Sequence, residues 1–533
     1  MNRFPQYSSR LAGVAILAVS AAACGSSSTA SPSSAASSGG TLVIAMTASD
    51  LPGTDTILAL GQGGEGLRFV GFQIYETLTA EDLTQSTTPP TIKGVLAESW
   101  TMAPDVKTYT FKLRQGVKFQ DGTPWNADAA IFNFQRYMDK SFQYYYPAVA
   151  GVAGLVDHSI ATYKKVDDAT IELVTSTPYA FLPQDLSLLP MASPTAVKAV
   201  GNDAFKDHPI GTGPYAFKSQ VRGQNMTLVR NDTYWRGKPS LDKIVLRPIP
   251  DPTARVAALK SGEVNWAEAV NPSDISGLTG SGFQILTNPY SQQWRCTLDY
   301  TKTPWNIPEV RQAANFALDR ATMVGSILKN TAVAAYQAAS PVDPGYDASL
   351  GVYSFDQAKA KDLLSKAGYP NGFDTTLTVP TSGSGNMVPV PMAEQIQSDL
   401  AKVGIRIKVT PMDWTTLNAE QGAGKMPGGA DMSCWATTLL IPGFWGIWFG
   451  STSPGNVNHV KNATADALLA KVPGDGDPAT LASDFKTLNK TLTADGAWLF
   501  VANDKNPRAL AKTVHGFVDP QSWFANLTTV TVS

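Results

Sequence analysis

Cysteine, histidine and charge are all scarce in this chain. Its 533 residues include three cysteines and four histidines. His158, His208, His459 and His515 stand far apart, and none pairs with another His, Cys or acid at metal-ligand spacing. No metal site and no cofactor are therefore expected. Charged residues make up 16% of the chain, with 42 basic against 44 acidic. Nucleic-acid binding needs a concentrated basic field, and this composition has none. Long apolar runs are missing as well. The run Leu11–Ala23 is 13 residues long, whereas about 20 are needed to span a bilayer. No GxSxG or SxxK arrangement stands in a context that would make it a nucleophile, so no catalytic residue is assigned. Gly61-Gln62-Gly63-Gly64-Glu65-Gly66 has the outline of a dinucleotide fingerprint. No βαβ unit follows it, so it reads as a flexible loop at the start of a helix.

The N-terminus is the most readable segment. Arg3 and Arg10 precede the short apolar run, and small residues lead from it to Cys24 and Gly25. This is a secretory signal over residues 1–23. A cysteine directly after the cleavage site resembles the bacterial lipobox, with Ala21 where that motif usually has Leu. Cys24 is expected to carry the lipid. Residues 24–40, rich in Ser and without bulky apolar groups, then form a flexible tether. The expected location is the outer face of the cell membrane, anchored through Cys24. Export permits a disulfide between Cys296 and Cys434, and equally two separate buried thiols.

Folding is expected from Thr41. The length implies more than one domain. TLVIAM reads as a buried strand, and Leu67–Leu78 has helical spacing. Further strands are expected at 109–113, 170–174, 226–229, 243–248 and 405–409. Helices are expected after Asn126 or Asp128, over 253–261, after Pro308, over 356–367 and over 392–403. The alternation makes the chain α/β.

Several ordered segments carry a resemblance. They are Tyr75-Glu76-Thr77-Leu78, Leu96 to Trp100, Tyr109 to Gly122, Gly211-Thr212-Gly213-Pro214-Tyr215, Asn231 to Trp235, Val310-Arg311-Gln312-Ala313, Ala317-Leu318-Asp319-Arg320, and Ala358 to Pro370. Together they resemble the family 5 extracellular solute-binding proteins of bacterial ABC importers, the oligopeptide and dipeptide binders. The resemblance implies a bilobed periplasmic-binding-protein-like clamp of the large, three-domain type with two hinge crossings. Lobe one would comprise 41–74, 207–290 and 508–533, with an inserted domain at 75–206. Lobe two would be 291–507. It implies a monomer that is not an enzyme. The partners it implies are a small solute, peptide or sugar-like, and an ABC permease in the membrane. An exported hydrolase on the same scaffold is the competing class.

The resemblance also assigns ligand-side residues. Asp50 and Leu51 follow the first strand, where the family presents an acid and backbone to the ligand; a turn-capping role for Asp50 is equally open. Cys434, Trp435, Thr437 and Thr438 fall on the lobe-two strand facing the cleft. Trp435 matches the family's tryptophan and is expected to form an aromatic wall, so that its loss weakens binding more than stability. Peptide binders place an amine-binding aspartate three residues beyond that tryptophan. Thr438 stands there, which favours a ligand without a free α-amino group, or a different acid in that role. Trp445, with Trp414, Phe444, Trp448 and Phe449, adds aromatic surface suited to sugars or rings. Trp100 and Trp235 read as packing residues.

Overall fold

The computed structural model describes residues 39–48, 51, 53–56, 64–157, 159–439 and 441–533. The signal segment, Cys24, nearly all of the tether, Asp50 and Gly61–Gly63 lie outside the described residues.

Three larger sheets organise the chain. The first strand, Thr41–Met46, lies inside a seven-stranded sheet. It pairs in parallel with Lys243–Pro248 on one side and Trp266–Ala267 on the other. Its apolar residues face both sides, as a strand covered on both faces requires. Antiparallel partners complete this sheet: Asn225–Arg230, Tyr215–Val221, Arg508–Leu510 and Gln284–Leu286. A four-stranded antiparallel sheet of Ala97–Met102, Thr108–Leu113, Thr170–Thr175 and Ile160–Asp167 forms the intervening region. Tyr109, Phe111 and Leu113 turn inward beneath the helix Ala127–Met138. Asn126 starts that helix by accepting the Ala129 amide at 3.0 Å.

The third sheet has six strands in the order Ala332–Ala334, Trp498–Asp504, Gln293–Leu298, Met432–Thr437, Phe373–Pro380 and Ile405–Met412. The helices Pro308–Ala317, Gln357–Lys366 and Pro389–Ala401 supply apolar residues to its core. Pro occupies the first turn of the first and third of these, where its missing N–H costs nothing. Among the described residues no helix is long and apolar enough to cross a membrane.

The expected helix Leu67–Leu78 is shorter and shifted. It runs from Gly64 to Ile74, with a π turn over Leu67–Gly71. Tertiary contacts overrule the spacing from Tyr75 onward. The Gly213 amide donates to the Ile74 carbonyl at 2.9 Å, and the Met191 amide to the Glu76 carbonyl, also at 2.9 Å. Gly213 must be glycine, since a Cβ there would lie 2.4 Å from the Gln73 carbonyl oxygen. The buried Glu76 carboxylate accepts from Thr212 Oγ1, Tyr234 OH and Trp235 Nε1 at 2.9, 2.8 and 2.6 Å. Three landmark segments far apart in sequence thus meet at one acid. Trp235 is a structural anchor here, as its packing role anticipated.

Candidate functional site

Met432–Thr437 lies mid-sheet, so neighbouring strands fix what each of its side chains faces. Pairing with Gln293–Leu298 is antiparallel and sets Gln293 opposite Thr437, Arg295 opposite Trp435, and Cys296 opposite Cys434. Alternation then separates two faces. On one, Cys296 and Cys434 are joined in a disulfide within the main core. On the other stand Gln293, Arg295, Ser433, Trp435 and Thr437.

Arg295 is the unexpected member of this face. Its side chain is 0% exposed. The guanidinium carbon lies 4.1 Å from the Trp435 ring centre and 4.3 Å from that of Trp498, with Trp448 at 5.7 Å. Among the described residues, none of its three guanidinium nitrogens has a hydrogen-bond partner. Burial, which no acid among the described residues opposes, pushes its pKa well below the ordinary arginine value. Gln293 Oε1 and Thr437 Oγ1, both buried on the same face, are also unpaired among the described residues. The other end of Gln293 is fixed: Nε2 donates to the Gln337 carbonyl and to Asn503 Oδ1 at 3.0 and 3.1 Å.

The rim of this face is polar and aromatic. Thr438 Oγ1 meets Ser291 Oγ at 3.2 Å, and Trp448 Nε1 donates to the Thr438 carbonyl, also at 3.2 Å. Asn386 accepts the Ala436 amide at 2.8 Å, which ties the loop after Phe373–Pro380 to the strand end. In that loop Gly385 has φ of +74°, and a Cβ there would lie 2.5 Å from Gln292 Nε2. Gln292 Oε1 in turn accepts from Trp523 Nε1 at 2.7 Å.

The expected ligand-side residues separate into groups. Trp435, Thr437 and Thr438 share the strand and its exit. Cys434 shares the strand but faces away, its sulfur taken up by the disulfide. Trp435 is 1% exposed and packs with Leu417, Met426 and Val457, so its ring is more a wall of the Arg295 cage than an open surface. Trp445 is fully buried, 5.8 Å from Phe449, whose ring lies 4.3 Å from Trp498. Leu51 belongs to a different core, beside Ile44, Phe69 and Val70. The sequence does contain a signal for Arg295: a lone charge between Trp294 and Cys296 in a short strand-like stretch.

The helix Gly443–Phe449 next to this face touches the region of the four-stranded sheet. A Cβ on Gly443 would lie 2.7 Å from Tyr179 OH. The Phe181 and Phe485 rings are 5.7 Å apart, and the Ala180 amide donates to the Pro473 carbonyl at 2.6 Å. Behind them Tyr179 donates to Asp185 at 2.6 Å, and burial holds the Asp185 carboxyl well above the usual carboxylate range.

The chain leaves the seven-stranded sheet after Leu286 and returns at Arg508, with the six-stranded sheet between. The two crossings are bonded to each other. Tyr290 OH donates to Asp504 Oδ2 at 2.6 Å, the Asn288 amide to the Lys505 carbonyl at 3.0 Å, and the Asp504 amide to the Gln292 carbonyl at 3.1 Å. Beside them a buried charge cluster joins Arg68 and Arg508 to Glu268. Burial opposes ionisation of Glu268, but the two guanidinium groups outweigh it and hold the carboxyl below its ordinary value. A cavity of about 470 Å³ lies elsewhere, lined by residues such as Phe72, Glu81, Arg236 and Phe524. None of the expected ligand-side residues lines it.

Residues 91–453 match the family described as bacterial extracellular solute-binding proteins, family 5 Middle. The chain belongs to that family. This solute-binding protein is 29% identical to heme-binding protein A of Haemophilus influenzae, over 80% of this chain and 82% of that protein. It is 30% identical to the glutathione-binding protein GsiB of Shigella dysenteriae serotype 1, over 81% of this chain and 85% of that one. Its fold superposes on the ABC transporter-associated periplasmic binding protein DppA from Helicobacter pylori, solved with the peptide STSA. There the TM-score is 0.81 at 26% identity, covering 93% of this chain and 98% of the other. The family assignment and the α/β binding-protein fold agree with the resemblance read from the sequence.

Proposed function

We propose that this protein captures a peptide or peptide-like solute between two lobes and delivers it to an ABC permease, without catalysis. Lobe one would be 41–74, 207–290 and 508–533 with the inserted domain 75–206, and lobe two 291–507. The observation that carries this reading is the pair of mutually bonded crossings at Tyr290 and Asp504. Two adjacent chain segments joining two sheets can serve as a hinge, and a solute touching both sides favours the closed form. The polar and aromatic face of Gln293, Arg295, Trp435 and Thr437 lies directly beyond those crossings. The 470 Å³ cavity fits this role less well, because its lining falls within lobe one and its inserted domain.

The peptide-like class is supported by the relatives, named for glutathione and heme, and by the STSA complex. Thr438 offers no charge for a free amine. Asp343 is bonded to Ser291, whose hydroxyl also meets Thr438. A second reading, an oligosaccharide or other bulky neutral solute, draws on the half-buried Trp414, Phe444 and Trp448 around the same face.

Native mass spectrometry of the protein purified without denaturation tests this, since a closed clamp retains its solute. Small-angle scattering should then show compaction when that solute is returned to stripped protein. Conversion of the solute to a product would replace this reading with the hydrolase.

A further inference from the structure

We infer that Arg295 is the receptor for an anionic group of the ligand, a carboxylate or a similar oxyanion, within a cage of Trp435, Trp448 and Trp498. The inference rests on the reading of this strand face as the ligand site. It names a chemical class that the family assignment does not.

A guanidinium carries five N–H donors in a planar fork that matches a carboxylate. Proteins almost never bury such a group without acceptors, because each lost hydration bond must be replaced. The other buried arginines keep acceptors, Arg68 included, whose Nε and Nη1 are bonded though its Nη2 is not. Arg136 is held by Asp55 at 2.8 and 2.9 Å, Arg311 by Asp495 at 2.9 Å, and Arg320 by the Ala335, Phe500 and Asn315 carbonyls. Arg255 donates to four backbone carbonyls. Arg295 has only ring faces among the described residues, at 4.1 and 4.3 Å. Stacking on indole holds the plane of the guanidinium and leaves its N–H edge without acceptors. Unpaired among the described residues nearby are Trp498 Nε1 of the cage itself and, opposite one another in register and one pleat nearer the crossings, Gln293 Oε1 and Thr437 Oγ1. The hydroxyl of Thr437 can donate to an oxyanion, and Gln293 Oε1 can accept from a donor elsewhere on the same ligand. A ligand with an acidic end and a polar body satisfies Arg295, Gln293 and Thr437. A neutral sugar leaves the guanidinium unpaired.

Sodium acetate serves as the minimal carboxylate probe, titrated against chloride at constant ionic strength into solute-free protein. Tryptophan emission and thermal midpoint are read, since the cage consists of three indoles. Acetate is expected to shift both in the wild type. In Arg295→Met both responses should vanish, and that variant alone should melt higher than wild type without acetate, because an uncompensated buried charge is gone. Arg295→Lys keeps the charge but not the fork, and should need at least about tenfold more acetate. It also provides the comparison if Arg295→Met does not fold. No acetate response in the wild type, or the same response in the variants, overturns the inference. A retained solute without any acidic group overturns it too, while leaving solute capture intact. An Arg295-dependent acetate response in a protein that closes on no solute would do the reverse.

Discussion

At the scale of single residues, Trp435 shows how a family position changes meaning once its neighbours are known. Read from the sequence, it is a ligand wall whose removal spares the fold. In the structure it is 1% exposed, packs against Leu417, Met426 and Val457, and stacks on Arg295. Truncation leaves a cavity and strips one face from a buried cation. Trp435→Ala is therefore expected to cost about 3–5 kcal/mol of stability, measured by denaturant unfolding, alongside any loss of binding. Trp435→Phe, which keeps a ring, should cost less than half as much. An alanine variant as stable as wild type would return Trp435 to the role of an open wall. Arg295 itself was present in the sequence as a lone charge on its strand, but its lack of partners among the described residues depends on Trp435 and Trp498, far along the sequence.

At the scale of elements, the disulfide and the crossings each yield a measurable consequence. Cys296 and Cys434 close a loop of 138 residues between paired strands. Opening it by Cys296→Ala with Cys434→Ala is expected to lower stability by about 2–5 kcal/mol, since the unfolded chain regains the loop's freedom. Sequence alone left this pair open, because spacing says nothing about register. The crossing pair predicts a pH effect. Burial pushes the Asp504 carboxyl up to about 6, despite its bonds from Tyr290 and from the Asn506 and Lys505 amides, against an ordinary 3.8. A folded carboxyl above its unfolded value binds the proton more tightly when folded. Its contribution to stability is thus full below about pH 4 and is lost as pH rises through about 6. The loss is on the order of 2–3 kcal/mol. Asp504→Asn, neutral throughout, should flatten this part of the melting-temperature profile between those pH values. Parallel profiles for wild type and variant would show that Asp504 titrates normally.

At the scale of the whole molecule, the expected export and attachment rest on residues 1–40 and the proposed capture on the rest. The tether should set reach and not affinity. Cys24→Ser is expected to move the protein from the membrane fraction to the medium or the soluble extract, with solute binding unchanged. Retention of the serine variant on membranes would rule out the lipid anchor expected at Cys24. The α/β class, most element positions and the order of the family landmarks were legible because they follow from local spacing, caps and turn residues. The helix end near Tyr75 was not. It is set by Gly213 and Met191 bonding back to the 74–76 backbone, a contact made across more than a hundred residues.

The sequence by itself therefore determined the family, the alternation of elements and the chemistry available on the strand Met432–Thr437. Those depend on residue identity and short-range periodicity. Only the tertiary structure decided that Cys296 meets Cys434, that Leu51 and Trp435 lie in separate cores, and that Arg295 stands caged without an acceptor among the described residues. Each of these depends on which strands lie side by side and in what register, and register is set by the packing of the whole sheet.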